Sequence, residues 1–359
     1  MEKEFKKVFL AANSAEGFVQ YFKNSYDFRD GWRAYIIKGG PGTGKSGFMM
    51  KVARKAGEQG LDPVLCFCSS DPDSLDGVII EERKTVLLDG TPPHTVEPQI
   101  YGVCEQIINL GEYLDCEKLR KNSDEIIALK DKNMFYHRTA SRYIAAFGEL
   151  YFENLRLARQ SLDSKKTEIF SKKLCDKYIK PKAGGGGTKQ CFFLSGITPR
   201  GTVNFTETVK LYAEKTVITE DKFGAAAGII MQTVINFALL KGYKVLVLKN
   251  PFFPGELADG VIIPELSLCF ACENEYLRFD SRERRIHSER FYDAGFLKSH
   301  RNRIFFNRRV GRSLLLGGIS ALKQAKSVHD EIEKYYIDAM DFEKTDKKIA
   351  DFIANELVL

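Results

Sequence analysis

What the chain lacks narrows its class first. No apolar run approaches the roughly 18 residues needed to cross a membrane, and the apolar stretch that follows the basic opening, Val8 to Ala12, is too short for a secretory signal. Only one CxxC pair occurs, Cys269 and Cys272. Cys66-x-Cys68 is a poor second half for a zinc site, so the pair reads as two small residues on a buried strand. Charge of one sign is not in excess: 54 Lys and Arg against 48 Asp and Glu give +6 over 359 residues, too mild to argue by itself for nucleic acid. These absences point to a cytoplasmic protein with reduced thiols and no membrane partner. A hydrophobic content of 44% with 28% charged residues is ordinary for a globular chain long enough for two domains.

What is present centres on one stretch. Lys38 to Gly47 reads K-G-G-P-G-T-G-K-S-G, matching the phosphate-binding loop pattern G-x-x-x-x-G-K-[ST]. Ala34 to Ile37 before it reads as a buried strand, and Lys45 onward as a helix. Gly39, Gly40, Gly42, Thr43, Gly44 and Gly47, with Pro41 within the same loop, would wrap a phosphate in backbone N–H groups at the positive end of that helix. Lys45 would reach the β- and γ-phosphates of ATP, and the Ser46 hydroxyl would hold Mg²⁺.

The chain then repeats itself. Val64 to Cys68, Val78 to Ile80 and Thr85 to Leu88 read as strands, and composition turns helical from Val103 to Ile179. Asp76-Gly-Val-Ile-Ile80 recurs as Asp259-Gly-Val-Ile-Ile263, 183 residues on (259 − 76), and Gly60 recurs as Gly242, 182 residues on (242 − 60). Two copies of one α/β unit, each a mostly parallel sheet flanked by helices with an added helical segment, account for this. The division is residues 1–180, a Gly-rich linker at 181–188, and 189–359. An offset of 182 puts Glu220 and Asp221 in place of Lys38 and Gly39. Ala226, Ala227 and Gly228 then replace Gly44, Lys45 and Ser46. Two carboxylates and no ammonium would repel a triphosphate, so the second loop is degenerate.

Asp89, after the strand Thr85 to Leu88, fits the Mg²⁺-holding acid of phosphoryl chemistry. Asp71, Asp73 and Asp76 form a second acidic group, readable equally as turn chemistry. In Asp89-Gly-Thr-Pro-Pro-His94 a rigid segment would hold His94 at a strand end, where an imidazole could polarise an attacking water. Arg278, Arg282, Arg284, Arg285 and Arg290 would supply either an arginine finger for the first site, a polyanion surface, or a solvated face.

Together these residues resemble a family of uncharacterised bacterial tandem P-loop proteins labelled ATP-binding or ATPase-like. The resemblance rests on Gly39 to Ser46, Ser69 to Gly77, Asp89 to His94 and the Ile197-Thr-Pro-x-Gly201 opening of the second half, and covers nearly the whole chain. It implies tandem P-loop domains and a nucleotide, but no settled substrate. The chain departs from it at the second loop, which relatives keep intact. The expectation is an ATPase with one Mg²⁺-dependent site, its catalytic residues Lys45, Asp89 and His94. Two alternatives are a small-molecule or nucleotide kinase, and a nucleotide-gated module holding a protein or nucleic-acid partner through its helical or Arg-rich regions.

Overall fold

The computed structural model describes residues 4–92, 95–182, 186–279 and 284–357. The first half lays down β1 (Lys6–Phe9), the hairpin β2 (Ala11–Ser14) and β3 (Gly17–Gln20), β4 (Arg33–Lys38), α1 (Lys45–Glu58), β5 (Val64–Phe67), β6 (Leu75–Ile80), β7 (Thr85–Asp89) and β8 (Glu105–Asn109). Its helices are α2 (Cys116–Arg120), α3 (Ser123–Ser161) and α4 (Ser164–Tyr178). The second half repeats the order with β9 (Thr188–Phe192), β10 (Ser195–Thr198), β11 (Gly201–Asn204), a short helix α5 (Glu207–Tyr212), β12 (Lys215–Glu220), α6 (Ala225–Leu240), β13 (Lys244–Lys249), β14 (Ala258–Ile263), β15 (Leu268–Glu273) and β16 (Arg285–His287). Then come α7 (Ala294–Ser299), α8 (Arg301–Asp338) and α9 (Phe342–Glu356).

Both halves build the same six-stranded mixed sheet, β1-β5-β6-β7-β4-β8 and its counterpart β9-β13-β14-β15-β12-β16. In each, only the third strand runs against its neighbours, pairing antiparallel on both sides, and the rest are parallel. Both faces of each sheet are covered, which is why the strands read as unbroken apolar runs. Ile36, Cys66, Val86 and Leu88 face inward, sharing one core with Ile218, Leu246, Leu248 and Ile262 of the other sheet. Their alternates Ile37, Leu65 and Leu87 face outward onto α1, and Val217, Val245 and Val247 onto α6. The layers thus run helix, sheet, sheet, helix.

The helical segments cross between halves. α4 and the residue after it put Leu174, Cys175 and Ile179 into the core around α6, whereas α9 puts Ile349 and Phe352 into the core around α1. Reciprocal backbone bonds fix each crossing: Asp115 N to Ala339 O at 2.8 Å and Asp341 N to Tyr113 O at 3.0 Å, mirrored by Asp163 N to Phe291 O at 2.8 Å and Asp293 N to Ser161 O at 2.7 Å. The long helices α3 and α8 pack antiparallel along each other, Asn133 Nδ2 donating to Ala325 O and Asn307 Nδ2 to Asn154 Oδ1. The end of α8 therefore lies over the first half's loop.

One strand differs from the reading of residues 103–179 as helical. β8 pairs only with β4 at the sheet edge, and its Gln106 and Ile107 are exposed. Its pairing comes from tertiary context, which local composition does not carry. Residues 183–185 of the linker lie outside the described residues. No described helix is long and apolar enough to cross a membrane. None of the eight cysteines is in a disulfide, and Cys269 and Cys272 are buried on β15.

Candidate functional site

β4 ends at Lys38, the chain turns through Gly39 to Gly44, and α1 begins at Lys45 behind a left-handed Gly44 with φ 88°. Gly44 has no side chain with which to cap this helix start, and Lys45, Ser46 and Gly47 of its first turn line the cleft. Two loop glycines are dictated by close approach. A Cβ on Gly40 would lie 2.3 Å from the Tyr336 ring, and one on Gly42 (φ 71°) would lie 2.9 Å from Ile337 Cγ1 and 3.0 Å from Glu333 O. Both clashes are with α8, so the second half roofs the first half's loop.

The Lys45 ammonium donates to Gly39 O at 3.0 Å and Gly40 O at 2.8 Å, and lies 3.7 Å from Asp89 Oδ2. Ser46 Oγ accepts from Leu75 N at 2.9 Å, the first residue of β6. Asp89 closes β7, its Oδ1 accepting from Thr91 N at 2.8 Å and Thr91 Oγ1 at 2.5 Å. Asp76 is not a turn residue but sits on β6, buried beside it. Burial first, then the Asp89 charge, pushes the Asp76 carboxyl well above the usual carboxylate range. Asp71 does hold a turn, accepting from Ser74 Oγ at 2.8 Å. Lys38 is not part of the cleft: it ties down the segment after β7 through Gly90 O at 2.8 Å and Val96 O at 3.0 Å.

All of Gly39 to Gly47, with Asp71, Asp76 and Asp89, line one cavity of about 900 Å³. Thr91 and Pro92 line it too; His94 lies outside the described residues. Sequence reasoning missed the opposite wall, made by Lys130, Asn133, His137 and Arg138 on α3 and by Lys326, His329 and Glu333 on α8. Their spacing of three and four residues was the available signal, but such a polar stripe reads equally as a solvated helix face. Burial, then the neighbouring His329, lowers the His137 pKa below the ordinary imidazole value.

The described members of the arginine group do not line this cleft. Arg285 pairs with Glu220 at 2.8 Å and Glu273 at 3.1 Å, Arg290 lies over the Phe170 ring, and Arg284 donates to Tyr178 Oη at 3.3 Å, all within the second half's own surroundings. Arg278 is exposed and Arg282 lies outside the described residues. The second half does reach the first site, but through α8.

At the second loop the structure corrects the alignment. Four residues, 221–224, separate β12 from α6, against six, 39–44, between β4 and α1. Gly224 (φ 80°) thus matches Gly44, and Ala225 and Ala226 stand where Lys45 and Ser46 stand. Glu220 does not face the loop, being paired with Arg285 and, at 2.5 Å, with His287. Asp221 instead plugs the helix start. Its carboxylate accepts from Phe223 N at 3.1 Å, Ala227 N at 2.9 Å and Tyr292 Oη at 2.9 Å, so the protein's own anion sits at this helix start.

The space above is filled as well. Phe147, Tyr151, Phe252, Phe253 and Tyr276 pack there, mostly edge-on or tilted, with centroids 4.8–6.4 Å apart, and a gap of about 20 Å³ is left. Ser123 and Arg301, which open α3 and α8, lie 178 residues apart (301 − 123). The same offset sets Phe147 against Ala325 and Tyr151 against His329, so aromatic rings close one cleft where smaller or polar groups leave the other open.

Asp259, the counterpart of Asp76, is buried here, bonded to Asn250 Nδ2 at 2.8 Å, and burial raises its carboxyl from 3.8 to about 7. Folded protein therefore holds this proton more tightly than unfolded chain. Stability falls as pH rises from about 4 to 7 and is level above that. Asp259→Asn is expected to stabilise the protein at pH 8, by up to about 4 kcal/mol, with the gain vanishing towards pH 4. Denaturant unfolding at both ends of that range checks it, and a gain independent of pH would contradict it.

No family model matches the chain, and neither the curated proteins nor the solved structures compared with it include a match.

Proposed function

We propose that the protein binds one Mg²⁺-ATP in the first half's cleft and hydrolyses its terminal phosphoanhydride. The observation that carries this is the contrast between two helix starts in one chain. At α6 the Asp221 carboxylate takes the N–H of Ala227 and the Tyr292 hydroxyl takes that of Ala226; at α1 the residues of the first turn, Lys45, Ser46 and Gly47, with Asp89, line a cavity of about 900 Å³. An anion is what such a helix start holds. Lys45 would exchange its two carbonyl partners for phosphate oxygens, a stronger charge-assisted pairing. The raised affinity of Asp76 for its proton weakens its repulsion of the phosphates.

The residues fit Mg²⁺ brought by the nucleotide. Among the described residues no three or more His, Cys, Asp or Glu side chains gather as a metal cage, and an ion carried by phosphates and water needs few protein oxygens. Ser46 would hold it directly and Asp89 directly or through water, and the bound ion would neutralise charge developing on the phosphate oxygens. Asp89→Asn keeps the shape and the Thr91 contacts but halves the acid's function. Turnover is expected to fall at least about 100-fold with nucleotide affinity within about threefold. Unchanged turnover in a phosphate-release assay would contradict the assignment.

A second reading is phosphoryl transfer to a small molecule, favoured by the size of the cavity. Pockets of about 300–1,000 Å³ hold whole drug-sized ligands, and this one extends from the loop along α3. Recovery of label from γ-labelled ATP in inorganic phosphate supports hydrolysis; recovery in an organic product supports transfer.

A further inference from the structure

We propose that the helical end of the cleft is a second subsite for a small molecule carrying a phosphate group, with Lys130 and Arg138 holding that group. The proposal rests on the nucleotide reading above, because it assigns the part of the same cavity that lies beyond the loop.

Most charges around the cleft are already committed. Lys45 is held by two carbonyls beside Asp89. Lys326 lies 3.4 Å from Asp71 and is paired with Asp330, and His329 lies 3.6 Å from Glu333. Asn133 spends a donor on Ala325 O at 2.7 Å. Lys130 and Arg138 line the same cavity and neither is ion-paired among the described residues. A cation kept in a cleft without a carboxylate is available to a ligand anion.

The filled copy is the internal control. The counterpart of Lys130 is Arg308 (308 − 130 = 178), which there donates to Lys222 O at 3.1 Å, lies 3.7 Å from Glu275 and covers the Phe223 ring at 5.1 Å. The counterpart of Arg138 is Leu316 (316 − 138 = 178) and that of His137 is the buried Leu315. Where the cleft is closed, one cation is fully engaged and the other is absent. Where it is open, both are present and uncommitted.

Geometry favours a dianion. Eight residues of helix separate Lys130 from Arg138 by about 12 Å along the axis, a span that two long, flexible side chains can bridge between them. Two long cationic side chains can close on one group between them. A phosphate, with two charges and three outward oxygens, matches both, and the Arg fork can pair with it bidentately; a carboxylate brings only one charge to the two cations.

The test uses the full chain loaded with Mg²⁺ and the β,γ-imido analogue of ATP, which fills the γ-phosphate position. Inorganic phosphate is the probe, titrated by calorimetry and ³¹P NMR. Wild type is expected to bind it, and Lys130→Gln and Arg138→Gln are each expected to weaken it about tenfold, with analogue affinity changed less than twofold. No phosphate binding to loaded wild type, or equal binding by the variants, overturns the subsite. If the variants lose analogue affinity instead, the two cations serve the nucleotide and the proposal fails. Failure of the nucleotide reading looks different: analogue binding would then survive Lys45→Ala whatever phosphate does.

Discussion

Phe147→Ala is expected to destabilise the protein by about 3–5 kcal/mol without weakening nucleotide binding. The ring is 2% exposed and lies 5.0 Å from Phe252, 5.8 Å from Tyr151 and 6.0 Å from Tyr276, centroid to centroid. It also sits against Gly311 of α8, so it seals the α3–α8 contact where the second half's cleft is closed. Truncation loses the buried area of a large apolar side chain and opens a void among rings that cannot all shift to fill it. The pseudo-symmetric position holds Ala325, where the cavity it lines is part of the design. Denaturant unfolding measures the effect. A loss under about 1 kcal/mol would mean the aromatic group is loosely packed and the second cleft is not closed by it.

The largest effect on binding is expected at Lys45. Lys45→Ala should weaken Mg²⁺-ATP binding at least about 100-fold, because it removes the ammonium that compensates the phosphates and leaves Asp89, 3.7 Å away, as an uncompensated like charge. The fold should survive. Alanine is a strong helix former at the first residue of α1, and what Lys45 contributes to the fold is two hydrogen bonds to loop carbonyls and a 3.7 Å ion pair with Asp89. Circular dichroism and thermal unfolding control for structure. Affinity within threefold of wild type would remove the role assigned to the loop.

The parts of this molecule that could be read in the sequence are those set by local pattern. The strands Ile36–Ile37, Leu65–Cys66 and Leu87–Leu88 stood out because both sheet faces are buried, and the strand–loop–helix around Lys45 because its spacing is fixed by backbone geometry. The repeat was legible because Asp-Gly-Val-Ile-Ile lies on β6 and β14, in equivalent places of two sheets. Partner choice was not legible. Nothing in α4 or α9 says that each packs on the other half, since an amphipathic face fits any complementary face. That crossing is what brings α8 over Gly40 and Gly42 and makes Lys130, Arg138 and Lys326 into one wall. The second loop misled in detail: alignment at constant offset hid a deletion of two residues. Of its two carboxylates, Glu220 faces Arg285 while Asp221 enters the loop. Charge counting singled out both carboxylates alike, where only Asp221 occupies the helix start.

The central claim is that one chain carries one working nucleotide site and one site stoppered by its own carboxylate. Calorimetric titration of wild-type protein with Mg²⁺ and the β,γ-imido analogue of ATP tests it most directly. The expected result is a stoichiometry of one nucleotide per chain, lost in Lys45→Ala. A stoichiometry of two, with the second site persisting in Lys45→Ala, would contradict it.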